Sequence, residues 1–351
     1  MKEFGIGILG CGGVAHRWYL KGLAGQKEHY RLVAVCDHIP ERAVQAAKTY
    51  DVPESYGSLE AMLDDPAVDL VVILTRHEDH VQHITKALDA GKHVYSEKPF
   101  ASTTIEAKRL MALAKKKGLV LGCAPQVMLS SRNKRVKEIL AKKELGKVLF
   151  IRGSNSNMGP HDRKGIDFDP TWFYEDGGSM SSLGIYGLAT LLWWFGQPQR
   201  IAGFSGIAYP KREVKHGPFR GKHFTVHAPD NETLMLDFGA GVFALFDGSY
   251  TVLTPPKYEF EIHGTEASLF VGGFGGPESV ILHRREEIPQ AVGPDDDCHL
   301  RWNLSWGVES TIAAVKADKE PATSAELAYR TIEVMEAMKI SSQENRMVCL
   351  R

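Results

Sequence analysis

Two features are absent from this sequence and a third is scarce, and each narrows what the protein can be. No run of apolar residues is long enough to span a membrane. The 42 Lys and Arg residues nearly balance the 43 Asp and Glu residues, and a formal net charge of −1 supplies no overall basic field for nucleic acid or an anionic membrane. We therefore expect neither a nucleic-acid partner nor a membrane partner.

Cysteine is also scarce. The five cysteines are scattered and odd in number: Cys11, Cys36, Cys123, Cys298 and Cys349. Such spacing argues against a disulfide framework and is typical of a reduced protein. The first ten residues lead directly into a strand pattern without a signal peptide. We expect a cytoplasmic protein, and its 351 residues suit two domains better than one.

The first fifteen residues contain the most informative motif. A short apolar run over 4–9, typical of a buried parallel strand, leads into G-x-G-x-x-A over 10–15. Gly10 permits a sharp turn, Gly12 lets the backbone approach a pyrophosphate, and Ala15 keeps the next helix close to the strand. A helix predicted over 14–23 would direct its N-terminal N–H groups towards the phosphates.

Asp37 lies at the end of a second predicted strand, over 31–36, about 20 residues beyond the glycines. A carboxylate at this position accepts hydrogen bonds from the adenosine ribose, although it could also cap the helix that begins near residue 40. Since His38 and Arg42 are the nearby groups that could offset repulsion of a 2′-phosphate, we expect NAD rather than NADP.

The order of predicted elements divides the chain into two domains. Strands and helices alternate to residue 124, with helices over 41–50, 56–63, 81–90 and 105–117 and strands over 68–74, 93–95 and 119–121. This alternation predicts an N-terminal α/β Rossmann dinucleotide-binding domain over 1–124. Period-two strands after residue 125 predict an α+β domain over 125–351 with a large, mostly antiparallel, open-faced sheet. The C-terminal helices are free to pack back towards the first domain.

Ligands of such parallel sheets bind beyond the carboxyl ends of the strands. Three polar stretches follow predicted strands there: 75–80, 96–99 and 123–126. Lys98 is the most informative of these residues, because partial burial would bring the pKa of its ammonium group towards the range useful for proton transfer. The alternative is a surface lysine in a loop that leads into a helix.

Two other stretches have a chemical and a structural interpretation. His77, His80 and His83 have a spacing compatible with metal binding on one helix face, but they lie in the cofactor-proximal turn, and we expect no metal. The loop over 158–174 places charged groups beside aromatic groups, which suits a sugar, although an ordered surface loop is an equal alternative. His161, Asp162 and Trp172 are its candidate substrate residues.

Several motifs together resemble the glucose–fructose oxidoreductase, inositol dehydrogenase and MocA (Gfo/Idh/MocA) family. They are the glycine motif, Gly91-Lys92-His93-Val94 leading into Glu97-Lys98-Pro99, Gly177-Gly178 followed by Gly184-Ile185-Tyr186, and the hairpin over 260–267. The resemblance covers nearly the whole chain. It implies a Rossmann domain with an open-faced sheet domain, NAD(P)-dependent chemistry on sugars or cyclitols, and a homodimer or homotetramer built through the sheets.

The resemblance also assigns roles. Lys98 matches the catalytic lysine, Glu97 the acid beside the nicotinamide ribose, and Tyr186 the His or Tyr that exchanges the hydroxyl proton. Ser182 stands where the family usually has Asp, and Arg76 where it usually has Pro. The candidate catalytic residues are thus Lys98, Tyr186 and Ser182. The candidate cofactor-binding residues are Gly10, Gly12, Gly13, Val14, Asp37, Thr75, Arg76, His80, Glu97, Lys98 and Gln126.

We therefore expect an NAD(P)-dependent dehydrogenase or reductase that acts on a hydroxyl-bearing carbon of a sugar, sugar derivative or cyclitol. Two alternatives remain open. One is a lyase or glycosidase that uses tightly held NAD for transient oxidation. The other is a non-catalytic NAD-binding regulator, which Ser182 favours and the intact Glu97-Lys98-Pro99 stretch opposes.

Overall fold

The computed structural model describes residues 3–25, 28–272, 280–293 and 303–350, so Cys298 lies outside the described residues. The chain divides into two compact units. The first contains Met1–Leu129 and Trp302–Ile332, and the second contains Ser130–Arg301 and Glu333–Arg351.

The secondary structure elements are numbered in chain order. The strands are β1 (Phe4–Leu9), β2 (Tyr30–Cys36), β3 (Glu54–Tyr56), β4 (Leu70–Ile73), β5 (His93–Ser96), β6 (Leu121–Cys123), β7 (Val148–Ser154), β8 (Arg200–Gly206), β9 (Lys211–Glu213), β10 (His223–Thr225), β11 (Asn231–Asp237), β12 (Phe243–Asp247), β13 (Tyr258–Gly264), β14 (Ala267–Gly272), β15 (Val280–Arg284), β16 (Gln290–Ala291) and β17 (Val348–Cys349). The α-helices are α1 (Leu20–Leu23), α2 (Pro40–Tyr50), α3 (Leu59–Leu63), α4 (His80–Asp89), α5 (Thr104–Lys117), α6 (Ser131–Ala141), α7 (Ile185–Phe195), α8 (Ser305–Ala317) and α9 (Ala325–Glu344).

The first unit is built on a parallel sheet with the strand order β3-β2-β1-β4-β5-β6. All four residues of β4 are buried, as expected for a parallel strand covered on both faces. Local signals fix the ends of α5: Thr103 and Glu106 form a capping box, and Gly118 ends the helix in the left-handed region with φ of 65°. The sheet and its helices match the predicted Rossmann architecture.

Three predicted elements of the first unit were partly wrong. The helix predicted over 56–63 is β3 followed by α3, because β3 pairs with β2 and Ser58 caps α3 by accepting from the N–H of Ala61. The strand predicted over 119–121 begins only at Leu121. The N–H of Leu119 still bonds to the carbonyl of Ala114 and closes the turn after α5.

The third correction concerns the helix predicted over 14–23. It is helical throughout, but Ala15–Tyr19 forms a π-helical segment before α1. A π segment closes its hydrogen bonds from i to i+5 and is found mostly as a single turn, frequently at a functional site. Hydrophobic spacing alone gave no sign of it.

The second unit is built on a nine-stranded sheet with the order β16-β15-β14-β13-β7-β12-β11-β8-β17. The pair of β12 with β7 is parallel, and the other pairs of this sheet are antiparallel. The predicted open-faced, mostly antiparallel sheet is therefore confirmed. Strand β8 was not predicted, since its sequence RIAGFSG lacks a sustained apolar alternation.

A buried carboxylate fixes the helix that carries two candidate catalytic residues. Glu232 in β11 is fully buried, and its Oε2 accepts from the N–H of Met180 at 2.6 Å and from the Ser179 hydroxyl at 3.0 Å. Its Oε1 accepts from the Ser205 hydroxyl at 3.0 Å. Ser179 and Met180 lie at the start of Met180–Gly184, a second π-helical segment that leads into α7, and Ser205 lies in β8. Glu232 thereby anchors the start of this helix to the sheet.

Glu232→Leu should lower the free energy of unfolding by about 3 kcal/mol, because two buried donors and one partly buried donor, the Ser205 hydroxyl, lose their acceptor. Glu232→Gln keeps an acceptor oxygen and should cost less than about 1 kcal/mol at neutral pH. Urea unfolding measures both changes. Equal losses in the two variants would contradict the anchoring role.

Burial raises the pKa of the Glu232 carboxyl, so the folded chain binds its proton more tightly than the unfolded chain. This contribution is present at low pH and is lost as the pH rises through the folded pKa. The stability of the wild type relative to Glu232→Gln should therefore fall as the pH rises above about 4, the usual pKa of a glutamate carboxyl in an unfolded chain.

Candidate active site

The glycine motif forms a tight turn at the carboxyl end of β1. Gly10 has φ of 98°, in the left-handed region that favours glycine, and its N–H donates to the Cys36 carbonyl at 2.8 Å. Apart from Gly12 and its neighbours along the chain, no atom of the described residues lies within 4 Å of the position that a Cβ on Gly12 would occupy. This space beside Gly12, on the loop that enters a helix, fits a pyrophosphate that approaches the backbone.

Asp37 holds this turn in place. The residue is only 4% exposed; its Oδ2 accepts from the N–H of Cys11 at 2.8 Å and its Oδ1 from the N–H of Ile39 at 2.9 Å. Asp37 can therefore both cap the start of the next helix and bind a ribose hydroxyl, because a carboxylate has about four acceptor sites and these two bonds use only two of them. The neighbouring His38 is largely exposed, with Nδ1 3.3 Å from Asp37 Oδ1.

The residues after β4 interact with the Lys98–Pro99 turn through His80. This histidine is buried, with Nδ1 2.7 Å from the Pro99 carbonyl and Nε2 3.1 Å from the Thr75 carbonyl. A neutral ring can donate to only one of the two oxygens. Burial nevertheless lowers the pKa of His80, against the opposing effect of both carbonyls. His80 thus connects two strand ends of the site.

The three histidines that suggested a metal site have separate contacts. His83 Nδ1 lies 3.0 Å from the Thr75 hydroxyl, and His77 lies 3.9 Å from Glu78. Arg76, in the position usually held by Pro, is 80% exposed and forms a surface ion pair with Glu78 at 3.5 Å. Its guanidinium therefore remains accessible at the end of β4.

Glu97 and Lys98 follow β5 and form the chemical centre of the first unit. The Glu97 carboxylate accepts from the Tyr19 hydroxyl at 2.7 Å and from the N–H of Lys98 at 2.9 Å. Burial lowers the pKa of the Lys98 ammonium to about 8, and the charge of Glu97 opposes that shift. The Lys98–Pro99 peptide bond is cis. A lysine with this pKa can give or take a proton near neutrality.

Gln126 supplies a second test of whether a dinucleotide fits this unit. It lies beyond β6, after the cis bond between Ala124 and Pro125, and is fully buried. Neither Nε2 nor Oε1 has a hydrogen-bond partner within the described part of the chain. A buried amide without partners is costly, so this side chain suits a polar ligand group such as a carboxamide.

The second unit contains Ser182 and Tyr186 one helical turn apart. Gly177 and Gly178 have φ near 80° and lead into the π-helical segment that contains Ser182. The Ser182 hydroxyl donates to the Gly178 carbonyl at 2.9 Å and also hydrogen-bonds to the Tyr250 hydroxyl. Tyr186, in α7, is half-buried. Ser182 is therefore linked to a buried aromatic hydroxyl in place of the carboxylate that the family usually has there.

The candidate substrate residues occupy different surroundings within this unit. His161 is buried, with Nδ1 2.7 Å from the Tyr174 hydroxyl and Nε2 3.4 Å from Arg212. Burial, reinforced by Arg212, lowers the pKa of His161 to about 4. Asp162 is partly exposed, and Trp172 is 48% exposed and stacks on Phe173 with ring centroids 3.7 Å apart.

Sequence reasoning missed the ion pair that supports His161. Arg212 donates to the Asp230 carboxylate at 2.5 Å and to the Tyr250 carbonyl at 2.8 Å, and both charged side chains are buried. Nothing in the polar sequence around Arg212 indicates burial. Glu232 could have been found, because it alternates with Leu234 and Leu236 on the buried face of β11.

Among the described helices, none combines the length and apolar character needed to cross a bilayer.

Comparisons with known proteins agree with this geometry. Residues 4–124 match the oxidoreductase family with an NAD-binding Rossmann fold, and residues 133–270 match the GFO/IDH/MocA C-terminal domain. The chain is 27% identical to the trans-1,2-dihydrobenzene-1,2-diol dehydrogenase of Bos taurus, over 81% of this chain and 79% of the relative. It is 25% identical to the scyllo-inositol 2-dehydrogenase (NADP(+)) IolW of Bacillus subtilis, over 87% and 75%.

A solved structure supports the fold. The NAD binding oxidoreductase from Klebsiella pneumoniae is 19% identical and matches with a TM-score of 0.84 over 99% of both chains. The predicted family, fold and enzyme class are confirmed. The chain therefore belongs to the Gfo/Idh/MocA family of NAD(P)-dependent oxidoreductases, enzymes that act on CH–OH groups of the sugar and cyclitol type.

Proposed function

We propose that this protein is an NAD-dependent dehydrogenase or reductase that acts on a hydroxyl-bearing carbon of a sugar, sugar derivative or cyclitol. The observation that carries the proposal is Lys98, whose ammonium has a pKa near 8 beside Glu97 at the end of β5. The glycine turn and the unpaired amide of Gln126 in the same unit support a bound dinucleotide. When bound, that group supplies the nicotinamide carbon that accepts or returns the hydride.

Lys98 and Tyr186 handle the hydroxyl proton in this proposal. Oxidation of the carbinol removes a hydride from carbon and a proton from oxygen, so a base must take that proton. A neutral Lys98 or a Tyr186 phenolate can accept it, and the protonated forms return it during reduction. Because the pKa of Lys98 is about 8, carbonyl reduction assisted by its ammonium should slow as the pH rises through that value.

Lys98→Met and Tyr186→Phe should each reduce turnover by about 10²–10⁴-fold, while the affinity for NAD changes little, because each removes a group that acts on the proton. Ser182→Ala should be milder, since its hydroxyl supplies a hydrogen bond worth about 1 kcal/mol. Lys115→Met, on the exposed face of α5, is the matched control. Assays follow the absorbance of reduced cofactor with a panel of sugars and cyclitols.

The outcomes of this assay separate the three functions. Net reduced cofactor supports the dehydrogenase. Product formed without net reduced cofactor supports the redox-assisted lyase, and binding without turnover supports the regulator. If Tyr186→Phe retains full activity on a true substrate, Tyr186 is structural and the proton assignment is wrong for that residue.

We also propose a preference for NAD over NADP, which rests on the Asp37 carboxylate next to the exposed His38. Asp37→Asn removes the charge and retains an acceptor oxygen, so it should weaken the preference about tenfold by relieving repulsion of a 2′-phosphate. His38→Ala removes the neighbouring imidazole and tests its contribution to the preference. Calorimetric titration with both cofactors measures the ratio. A wild-type preference for NADP would overturn the assignment.

We further propose that the open face of the nine-stranded sheet binds a second copy of the chain. Apolar side chains on neighbouring strands remain exposed there: Phe204 at 73%, Met235 at 48%, and Phe243 and Leu245 at 40% each. Met235 pairs with Leu245, and Phe243 pairs with Phe150, so the exposed groups form a continuous patch. A patch rimmed by the ion pairs Arg152–Glu261 and Arg200–Asp237 suits a self-complementary interface.

Phe204→Asp should dissociate this oligomer, because two copies of the new carboxylate would be buried in a symmetric interface. Ile105→Asp, at an 80% exposed position of α5, is the control and should leave the mass unchanged. Light scattering at micromolar concentration decides the question. A wild-type protein that is monomeric under these conditions would rule the interface out.

A further inference from the structure

Tyr19 makes a contact that the proposed chemistry does not explain. Its side chain is fully buried, yet its hydroxyl donates to Oε1 of Glu97 at 2.7 Å. The other carboxylate oxygen, Oε2, accepts from the N–H of Lys98 at 2.9 Å. Each oxygen of Glu97 therefore accepts one of these two hydrogen bonds. The Lys98 N–H belongs to the same turn as Glu97, whereas the Tyr19 hydroxyl comes from the helix after the glycine turn.

The backbone around Tyr19 directs the ring towards Glu97. Tyr19 is the last residue of the π-helical segment that follows the glycine turn, and it packs against Tyr95 with ring centroids 6.3 Å apart. Gly307 in α8 leaves room for Tyr95, since a Cβ there would come within 2.1 Å of its hydroxyl. The Tyr19 ring is thus fully buried against Tyr95, a ring that itself packs closely against Gly307.

We propose that Tyr19 is a positioning residue, which holds the Glu97 carboxylate beside Lys98 and connects the helix after the glycine turn to the Glu97–Lys98–Pro99 turn. The importance of this contact for catalysis rests on the proposed function. The Tyr19–Glu97 contact itself does not depend on the proposed function, and it can be tested without measuring turnover.

The electrostatic consequence has a definite sign. The negative charge of Glu97 favours the charged form of Lys98, against burial, which favours the neutral form. A Glu97 side chain released by Tyr19 would be held only through the N–H of Lys98 and would be free to rotate away. Loss of the Tyr19 hydroxyl should therefore lower the pKa of Lys98 further.

Other titratable groups face Glu97 from neighbouring elements. They are Tyr19 before α1, His80 in α4 and Cys123 in β6. Burial raises the pKa of Tyr19 and of the Cys123 thiol well above their usual values and lowers that of His80. These three groups are therefore neutral just above pH 7, and the change in Lys98 can be attributed to Glu97.

The experiment measures the Lys98 pKa directly in the full-length protein labelled with ¹³Cε-lysine. The Lys98 resonance is assigned by its absence in Lys98→Met. Tyr19→Phe should lower the Lys98 pKa by about half a unit or more, and thermal melting reports the cost in stability. Tyr30→Phe is the matched control, because the buried Tyr30 hydroxyl donates to Glu309 at 3.0 Å in the same unit.

A double-variant cycle tests whether the effect passes through Glu97. Glu97→Gln should lower the Lys98 pKa, and adding Tyr19→Phe should then cause no further shift. Glu97→Asp retains the charge but withdraws it from the Tyr19 hydroxyl, so it should reproduce the direction of the Tyr19→Phe shift even if Tyr19→Phe fails to fold. An unchanged Lys98 pKa in Tyr19→Phe, or an equal shift in the Glu97→Gln background, would overturn the inference.

Activity measurements then separate this inference from the proposed function. If both hold, Tyr19→Phe lowers kcat/KM about tenfold and moves the inflection of its pH profile with the Lys98 pKa. A shifted Lys98 pKa with an unchanged pH profile would support the role of Tyr19 and contradict the role of Lys98 in proton transfer.

Discussion

The burial of one ammonium group beside one carboxylate is the constraint on which the first unit depends. Removing Lys98 from water favours its neutral form, and the charge of Glu97 favours the charged form, so the two effects leave the pKa near 8. That balance requires Glu97 to stay in place, which its two donors ensure. His80, whose ring nitrogens lie 2.7 Å from the Pro99 carbonyl and 3.1 Å from the Thr75 carbonyl, contacts the other side of the same turn. The surrounding helices and strands thus set the pKa of Lys98 by fixing the position of Glu97.

The second unit uses buried polar groups in a similar way. Glu232 holds the start of the helix that carries Ser182 and Tyr186, and the Arg212–Asp230 pair supports the ring of His161. Burial of such groups is costly unless they are paired, so the bonds of Glu232 to Ser179 and Met180 favour one arrangement at the start of this helix. Ser182 belongs to this arrangement through Gly178 and Tyr250. Because the Ser182 hydroxyl is neutral, this position needs no neighbouring cation, whereas a buried Asp would need one.

Much of the fold could be predicted because its signals are local. The strand before Gly10, the acid at Asp37 and the alternation of helices and strands lie close together in sequence, and each has its own physical reason. Lys98 could be singled out for its position at a strand end. The contacts that shift the pKa values of such residues could not be predicted, because their partners are far apart in sequence. Tyr19 and Glu97 are 78 residues apart, and Arg212 and His161 are 51 apart. Composition and spacing do not report which distant side chains meet.

The two π-helical segments have a further consequence for the way this chain tolerates change. Each π turn contains more residues than an α-helical turn. The residues that share one face of each helix are therefore not evenly spaced along the sequence after the preceding glycines. Deleting one residue between Ala15 and Tyr19 would return that stretch to a regular α-helix. The shorter α-turn covers about the same rotation as the wider π turn, so the side chains on either side would keep their relative directions. The π turn is therefore the place where this helix can change its length without turning its faces.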